Sequence, residues 1–501
     1  AALSLKNNDR SAALFCVTEI ESWIASNLPY RGVNWVSGIE IALRAISMLV
    51  VGSCINEHIT TEQRVKIWQS LQVHAGWLER HPSKFSSANN HRAAEGLGLF
   101  LIGATCAQLP QAEQWKDAGW AILNEAAEEL ILPDGSGAEQ AVAYHAFTLE
   151  MLLLGLHVAQ AQKMEVPQLY IERVRKGAEY LRWLTDDGGH QPRIGDDDNG
   201  CVIGAYRRDD NYANSILGCA AALTHRGDLV PSNLKPSLRQ LLFGALPEQH
   251  QGPSGVKHFR SGGMTVGRHK INGRDVLLAF DHGPLGHLSI AAHGHADALS
   301  VWLHIDDQPI FVDAGTYLYH SGGEWREHFR STPAHNTLSF SGKSSSLTAG
   351  AFNWSRKANV SVREVDHMTD GWRVEAEHDG YMKDFEFIHR RSIDMKPATG
   401  FTITDTLVNF GSEDCDLHFL LYPGLTAKIK GNDITIKKGK KSLLRITGDT
   451  PLEPVIGLPE TEDGGWYSPR FGEKQPATRI IYRGIMTPWR KSELHFTVLP
   501  E

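Results

Sequence analysis

Two hydrophobic rhythms divide the chain. From about residue 10 to 245 apolar side chains recur at helical spacing, as in 93–109, 115–132, 142–160 and 174–184. The segments between these runs are short, polar and marked by Pro or Gly, as in Arg80-His-Pro-Ser and Asp186-Asp-Gly-Gly-His190, where a helix stops. From about residue 256 the rhythm becomes that of strands. Arg373-Val-Glu-Ala-Glu377 alternates, and Thr402-Ile-Thr-Asp-Thr-Leu-Val408 and Leu417-His-Phe-Leu-Leu-Tyr422 are apolar and rich in strand formers. Gly252-Pro-Ser-Gly255 sits at the change. The pattern predicts an all-α N-terminal half and an all-β C-terminal half, with a ligand site expected where the two face each other, since clefts favour domain interfaces.

Composition narrows the classes. At 501 residues the chain is too long for one ordinary core, so two or more domains are expected. A hydrophobic share of 42% and a charged share of 22% are those of a soluble globular protein. The formal net charge of −8 argues against nucleic acid as the main partner, which calls for a basic face. A polyanionic substrate stays open, because a cleft can be locally basic inside an acidic protein. Cys16, Cys54, Cys106, Cys201, Cys219 and Cys415 lie far apart with no CxxC spacing, so neither a thiolate metal site nor a disulfide framework is expected, and they read as buried small residues. No apolar run approaches the roughly 20 residues that span a bilayer, so no membrane insertion is expected. The first residues lack the signature of a signal peptide, which leaves the compartment open, and nothing in the pattern specifies an oligomeric state.

The chemistry is concentrated in polar clusters. His293-Gly-His295-Ala-Asp297, Phe311-Val-Asp313-Ala-Gly315 and Thr332-Pro-Ala-His335-Asn336-Thr punctuate apolar sequence that includes Trp302, Ile305 and Ile310. An extended strand would put 293, 295 and 297 on one face. Asp313 and His335 then complete a candidate His295/Asp313/His335 metal triad, beside a His293 free for proton transfer. Any one of these histidines reads as a hydrogen-bonded core residue. The whole set reads as a site, because buried polar groups are costly unless something satisfies or uses them.

Further candidates lie outside those clusters. Ser86-Ser-Ala-Asn-Asn90-His91-Arg-Ala-Ala-Glu95 opens a helix that Ser87, Asn89 or Asn90 could cap, with Glu95 one turn beyond His91. A second Asn followed by His exceeds what a cap requires and suits a bound carboxylate. The Leu132-Pro-Asp-Gly-Ser-Gly turn feeds a helix with Tyr144 and His145 about two turns in, Tyr144 being either a core residue or a proton carrier. Tyr317 and Tyr319 either reach the cleft or are strand aromatics; Arg326 and Arg330 either bind substrate anions or lock a loop. Ile194-Gly-Asp-Asp-Asp198 reads as a turn, being too short for an EF-hand. Trp35 and Arg44 are assigned to the helical half.

Taken in order, Asn-Asn-His-x3-Glu, Asp-Gly-x4-Gln-x3-Tyr-His, His-Gly-His-x-Asp, Asp-x-Gly and Ala-His-Asn-Thr resemble the heparinase II/III-like superfamily of polysaccharide lyases, over a span from about Trp35 to His389-Arg390-Arg391. The resemblance implies an α+β multidomain chain, an incomplete (α/α) toroid catalytic domain over 1–250 followed by an antiparallel β-sandwich over 256–501. It implies β-elimination at the 4-linked side of a uronic acid. Asn90 and His91 would bind and polarise the uronate carboxylate; Tyr144 would protonate the leaving O4 and double as base; His293 would be the second acid or base. Glu95, Tyr317, Tyr319, Arg326 and Arg330 would contact substrate. His295, Asp313 and His335 match positions at which relatives hold a divalent metal, here expected to be zinc or manganese in a structural role that fixes the strand bearing His293. The implied partner is an acidic polysaccharide, a glycosaminoglycan such as heparan sulfate, hyaluronan or chondroitin. Alternatives are an alginate or bacterial exopolysaccharide lyase, a uronate C5-epimerase and a non-catalytic glycan-binding protein. A glycoside hydrolase is disfavoured, because it needs two carboxylates flanking the scissile bond. The implied location is periplasmic or secreted, in a bacterium.

Overall fold

The computed structural model describes residues 2–204, 212–409 and 411–501. The helical pattern is realised as Arg10–Ser26, Gly38–Cys54, Thr61–Arg80, Asn90–Thr105, Ala112–Leu130, Val142–Ala161, Gln168–Leu184 and Tyr212–Thr224. Starts are set locally: Asp9 accepts from the backbone N–H groups of Ser11 and Ala12, and Thr60 and Gln63 form a capping box. Helices Asn90–Thr105 and Ala112–Leu130 pack backbone against backbone, since a Cβ at Gly119 would lie 2.3 Å from Phe100 N and one at Gly103 2.3 Å from Ala112 O. Trp35 is buried against His74 and under the Arg44 guanidinium, an internal stack.

In contrast to the expectation that no run is long enough, helix Val142–Ala161 has the length and hydropathy to cross a membrane; 89% of its apolar window is buried. Its internal Glu150 accepts from Val202 N, Ile203 N, Tyr212 Oη and Arg239 Nε, so the one carboxylate in an apolar helix is fully satisfied. Cys54, Cys106, Cys219 and Cys415 are buried as expected, whereas Cys16 and Cys201 are half-buried.

From Gly255 the chain is antiparallel sheet. Gly255–Phe259, Met264–Ile271, Arg274–Asp281, Val301–Ile305 and Gln308–Phe311 form a five-stranded meander, and an isolated bridge from Phe311 to Leu421 connects it to a four-stranded sheet. An eight-stranded sheet supplies the other layer. In it Trp372, Val374, Ile393, Met395, Phe401, Ile403, Leu494 and Phe496 enter a core shared with Leu278, Phe280, Leu303 and Phe419 of the first layer. Their sequence neighbours Arg373, Asp394, Thr402 and His495 pair across the ladders on the opposite face, the two-residue period of a sandwich strand.

Contacts divide the chain into two compact units that are interleaved in sequence. One is Ala1–Gly135, His145–Glu179 and Gly200–Gln251; the other is Ser136–Tyr144, Tyr180–Asn199 and Gly252–Glu501. Two short segments from the helical half are therefore part of the β unit.

Two expectations require correction. Residues 291–299 are turns, and the strand begins only at Val301, so His293, His295 and Asp297 do not share a strand face. Tertiary bonds shape the segment instead, among them Ala296 N to Arg330 O (2.9 Å) and Thr332 Oγ1 to Ala296 O (2.6 Å). Tyr144 lies in the first turn of its helix, not two turns in. Residues before Val142 stay non-helical, with Gln140 at φ +54° and Val142 N donating to Ile194 O at 3.2 Å.

Candidate active site

Within the β unit, the irregular run 136–141 delivers Tyr144 onto His293. The two rings are stacked, with centroids 3.9 Å apart and planes 21° from parallel. The Tyr144 hydroxyl is 2.9 Å from that of Tyr319. Burial, reinforced by the negative charges of Asp198 and Asp196, raises the Tyr144 phenol well above its ordinary value despite the bond to Tyr319. Tyr144 is therefore held as a protonated donor at neutral pH.

His293 is buried, which by itself disfavours its charged form. Its hydrogen bond to Asp196 and the charges of Glu139, Asp196 and Asp198 overcome this and hold the imidazole above its usual range. Its Nδ1 is 3.3 Å from Asp196 Oδ2, and its Nε2 is 3.9 Å from Glu139 Oε1. A protonated phenol thus lies against an imidazole whose charged form the neighbouring carboxylates favour, the pair of groups that acid–base chemistry requires.

His295, Asp313 and His335 are all buried, and one ligand atom from each lies within 4.8 Å of the others. His295 Nε2 bonds Asp196 Oδ1 at 3.1 Å, and His335 Nδ1 bonds Asp313 Oδ2 at 2.9 Å. The remaining nitrogens, His295 Nδ1 and His335 Nε2, are buried without a hydrogen-bond partner among the described residues. One ring nitrogen on a carboxylate and the other left unmatched is the arrangement of a metal-binding histidine. Two imidazoles and a carboxylate suit a borderline divalent ion, so the residues fit such a group. Burial lowers His295, whereas in His335 the adjacent Asp313 charge outweighs burial and raises the ring. The neighbouring Asp297 is displaced to about 7 by burial, and its Oδ2 has no hydrogen-bond partner among the described residues.

The remaining candidates fall in different environments. Arg326 is buried, clamped on Asp196 and donating to Ala351 O at 2.8 Å. Arg330 is buried and donates to Ala351 O, Gly350 O and Glu327. Tyr317 packs against Trp325 and Phe329. In the helical unit, Asn90 is the fully buried first residue of its helix, while Asn89 provides the cap and accepts from His91 N at 3.2 Å. Glu95 is buried, its carboxylate bonded to Ser83 N (2.8 Å) and Ser83 Oγ (2.6 Å), and burial raises its pKa.

Two residues of this cluster escaped the sequence reading. Asp196 accepts from both His293 and His295, and Glu139 faces His293. The available signal was the Asp196-Asp-Asp198 run, but spacing alone does not reveal that Asp196 is fully buried while Asp198 is exposed.

A helical unit built of paired helices, an antiparallel sandwich and a tyrosine–histidine pair beside a His/Asp/His set define a toroid-plus-sandwich protein. Residues 7–204 match the Heparinase II/III N-terminus family and residues 251–492 the Heparinase II/III-like, C-terminal family; the chain belongs to the heparinase II/III-like superfamily. It is 21% identical over 365 residues to a heparin-sulfate lyase of Bacteroides thetaiotaomicron, an alignment covering 71% of this chain and 49% of that protein. The chain thus spans about half the length of the curated relative it matches. The heparan sulfate lyase of Pedobacter heparinus superposes with a TM-score of 0.70 at 15% identity, covering 100% of this chain and 75% of that one. A Streptomyces coelicolor chondroitin AC lyase superposes with a TM-score of 0.57 at 13% identity, covering 97% of this chain and 70% of the other. These likenesses establish the (α/α) toroid followed by a β-sandwich.

Proposed function

We propose that the chain is a polysaccharide lyase that cleaves a uronic-acid-containing glycosaminoglycan, of the heparan sulfate type, by β-elimination. The observation that carries this reading is the stacked Tyr144–His293 pair with the Tyr319 hydroxyl on Tyr144. In the reaction a base removes the C5 proton, the C5–H electrons form the C4=C5 double bond, and the C4–O4 bond breaks as O4 receives a proton. Asn90 and His91 neutralise the uronate carboxylate so that the C5 proton becomes acidic. Tyr144, kept protonated, donates to O4. His293 exchanges the other proton, with Tyr319 in hydrogen-bond reach of the donor.

His295, Asp313 and His335 would hold a divalent ion, zinc or manganese, which would supply a structural positive charge there and no step of the reaction. Arg326, Arg330 and Glu95 support the site from inside the protein, an assignment favoured by their internal bonds over substrate contact. The likeness to a bacterial heparin-sulfate lyase favours a periplasmic or secreted location.

The test is ultraviolet absorbance during incubation with heparan sulfate, heparin, hyaluronan, chondroitin sulfates, alginate and polyglucuronate. A rise reports the conjugated unsaturated uronate and names the substrate class. No rise on any polymer with folded, metal-replete protein rejects the glycosaminoglycan reading.

A further inference from the structure

We propose that Asp196 is a positioning residue that sets the tautomer of both His293 and His295, so that the proton-transfer imidazole and the metal-facing imidazole are held by one carboxylate. The lyase reading is needed only for the kinetic consequence of this assignment. Asp196 is fully buried. Its Oδ2 accepts from His293 Nδ1 at 3.3 Å and from Arg326 Nη2 at 2.8 Å. Its Oδ1 accepts from His295 Nε2 at 3.1 Å, from the Thr316 hydroxyl at 3.3 Å and from the Arg326 Nη1. The planar guanidinium fixes the plane of the carboxylate, and the carboxylate in turn fixes the two rings.

An ionised carboxylate only accepts, so each ring must present an N–H to it. That places a proton on His293 Nδ1 and leaves Nε2 as the atom that exchanges protons. It places a proton on His295 Nε2 and leaves Nδ1, which has no hydrogen-bond partner among the described residues, as the metal ligand. The backbone enforces the same register. Asp196 N donates to His293 O at 2.9 Å, and Ile194 O receives Val142 N at the start of the Tyr144 helix. Gly195 permits this threading: its φ is +67°, and a Cβ there would lie 2.7 Å from His293 O and 2.8 Å from Gln140 O. One short segment therefore aligns the carriers of both proton-transfer groups.

The test is Asp196→Asn in the full chain, with Asp196→Asn/Arg326→Gln as the variant that avoids a buried unpaired guanidinium. Three readouts are taken: kcat against KM, zinc affinity, and 15N-histidine NMR, with the rings assigned through His293→Gln and His295→Gln. The expected result is a kcat lower by about 10²-fold with KM within about threefold, zinc affinity lower by about tenfold or more, and loss of the Nδ1-protonated signature of His293. A folded variant that keeps kcat, or one whose loss is confined to KM, overturns the assignment, as does an unchanged tautomer pattern for both rings. Failure of the unaltered protein to cleave any uronate polymer would reject the lyase reading, while the NMR and zinc readouts would still decide the role of Asp196.

Discussion

At Tyr144 a single oxygen carries the proposed chemistry. Tyr144→Phe keeps the ring stacked on His293 and removes only the hydroxyl that meets Tyr319 at 2.9 Å. Turnover is expected to fall by at least about 10²-fold with little change in Tm; product absorbance within a few-fold of the parent would remove Tyr144 from the mechanism. His335→Ala should lower bound metal and Tm together, because it deletes an imidazole whose Nε2 has no hydrogen-bond partner among the described residues and removes the His335 bond to the buried Asp313 carboxylate. Metal analysis showing unchanged stoichiometry would reject the triad. At this scale His293, His295, Asp313 and His335 were legible because polar groups interrupt apolar sequence. Asp196 was not, because its importance comes from three partners, His293, His295 and Arg326, that lie 97 to 130 residues away.

Elements with a hydrophobic period were read closely: the expected helical run at 142–160 is the helix Val142–Ala161, and the alternation at 373–377 lies in the strand Gly371–His378. Elements without one were misjudged. The alternating His-Gly-His-Ala-Asp motif has strand period, yet residues 291–299 form turns whose shape depends on Arg330 and Thr332 far along the chain. The segment around Gly195 is the converse case, an apparent surface turn that is threaded between Gln140 and His293. Gly195→Ala should therefore lower both Tm and turnover, since alanine at positive φ costs more than about 1 kcal/mol and its methyl group has no room. Equal thermal stability of Gly195→Ala and the parent would show that the segment yields more easily than its contacts imply.

Across the molecule, buried histidines make stability depend on pH in a stated direction. Burial holds His74, His145 and His282 down at about 4. His74 shows the cause in its contacts: in the neutral ring one nitrogen is 2.7 Å from Ser70 O, and the other accepts from Arg44 Nε at 2.9 Å, so a second proton would be driven against a guanidinium. A histidine with a depressed folded pKa leaves the unfolded chain binding more protons between the two values. Stability from these groups is complete above about 6.5 and is lost as pH falls towards about 4, with a slope approaching about 1.4 kcal/mol per pH unit for each. His293 and His335, held above their ordinary value, act in the opposite sense and favour the folded state at lower pH. Asp405, lowered to about 2 against burial by the Arg391 charge and the His389 hydrogen bond, contributes above about 3.8 and loses its share only below that. The expected Tm profile therefore has two falling steps, one between pH 6.5 and 4 from neutral histidines and a second below 3.8 from Asp405. His74→Gln, which can donate to Ser70 O and accept from Arg44 without titrating, should make the first step shallower and leave the second unchanged. A first step of undiminished slope in that variant would assign the acid sensitivity to other groups.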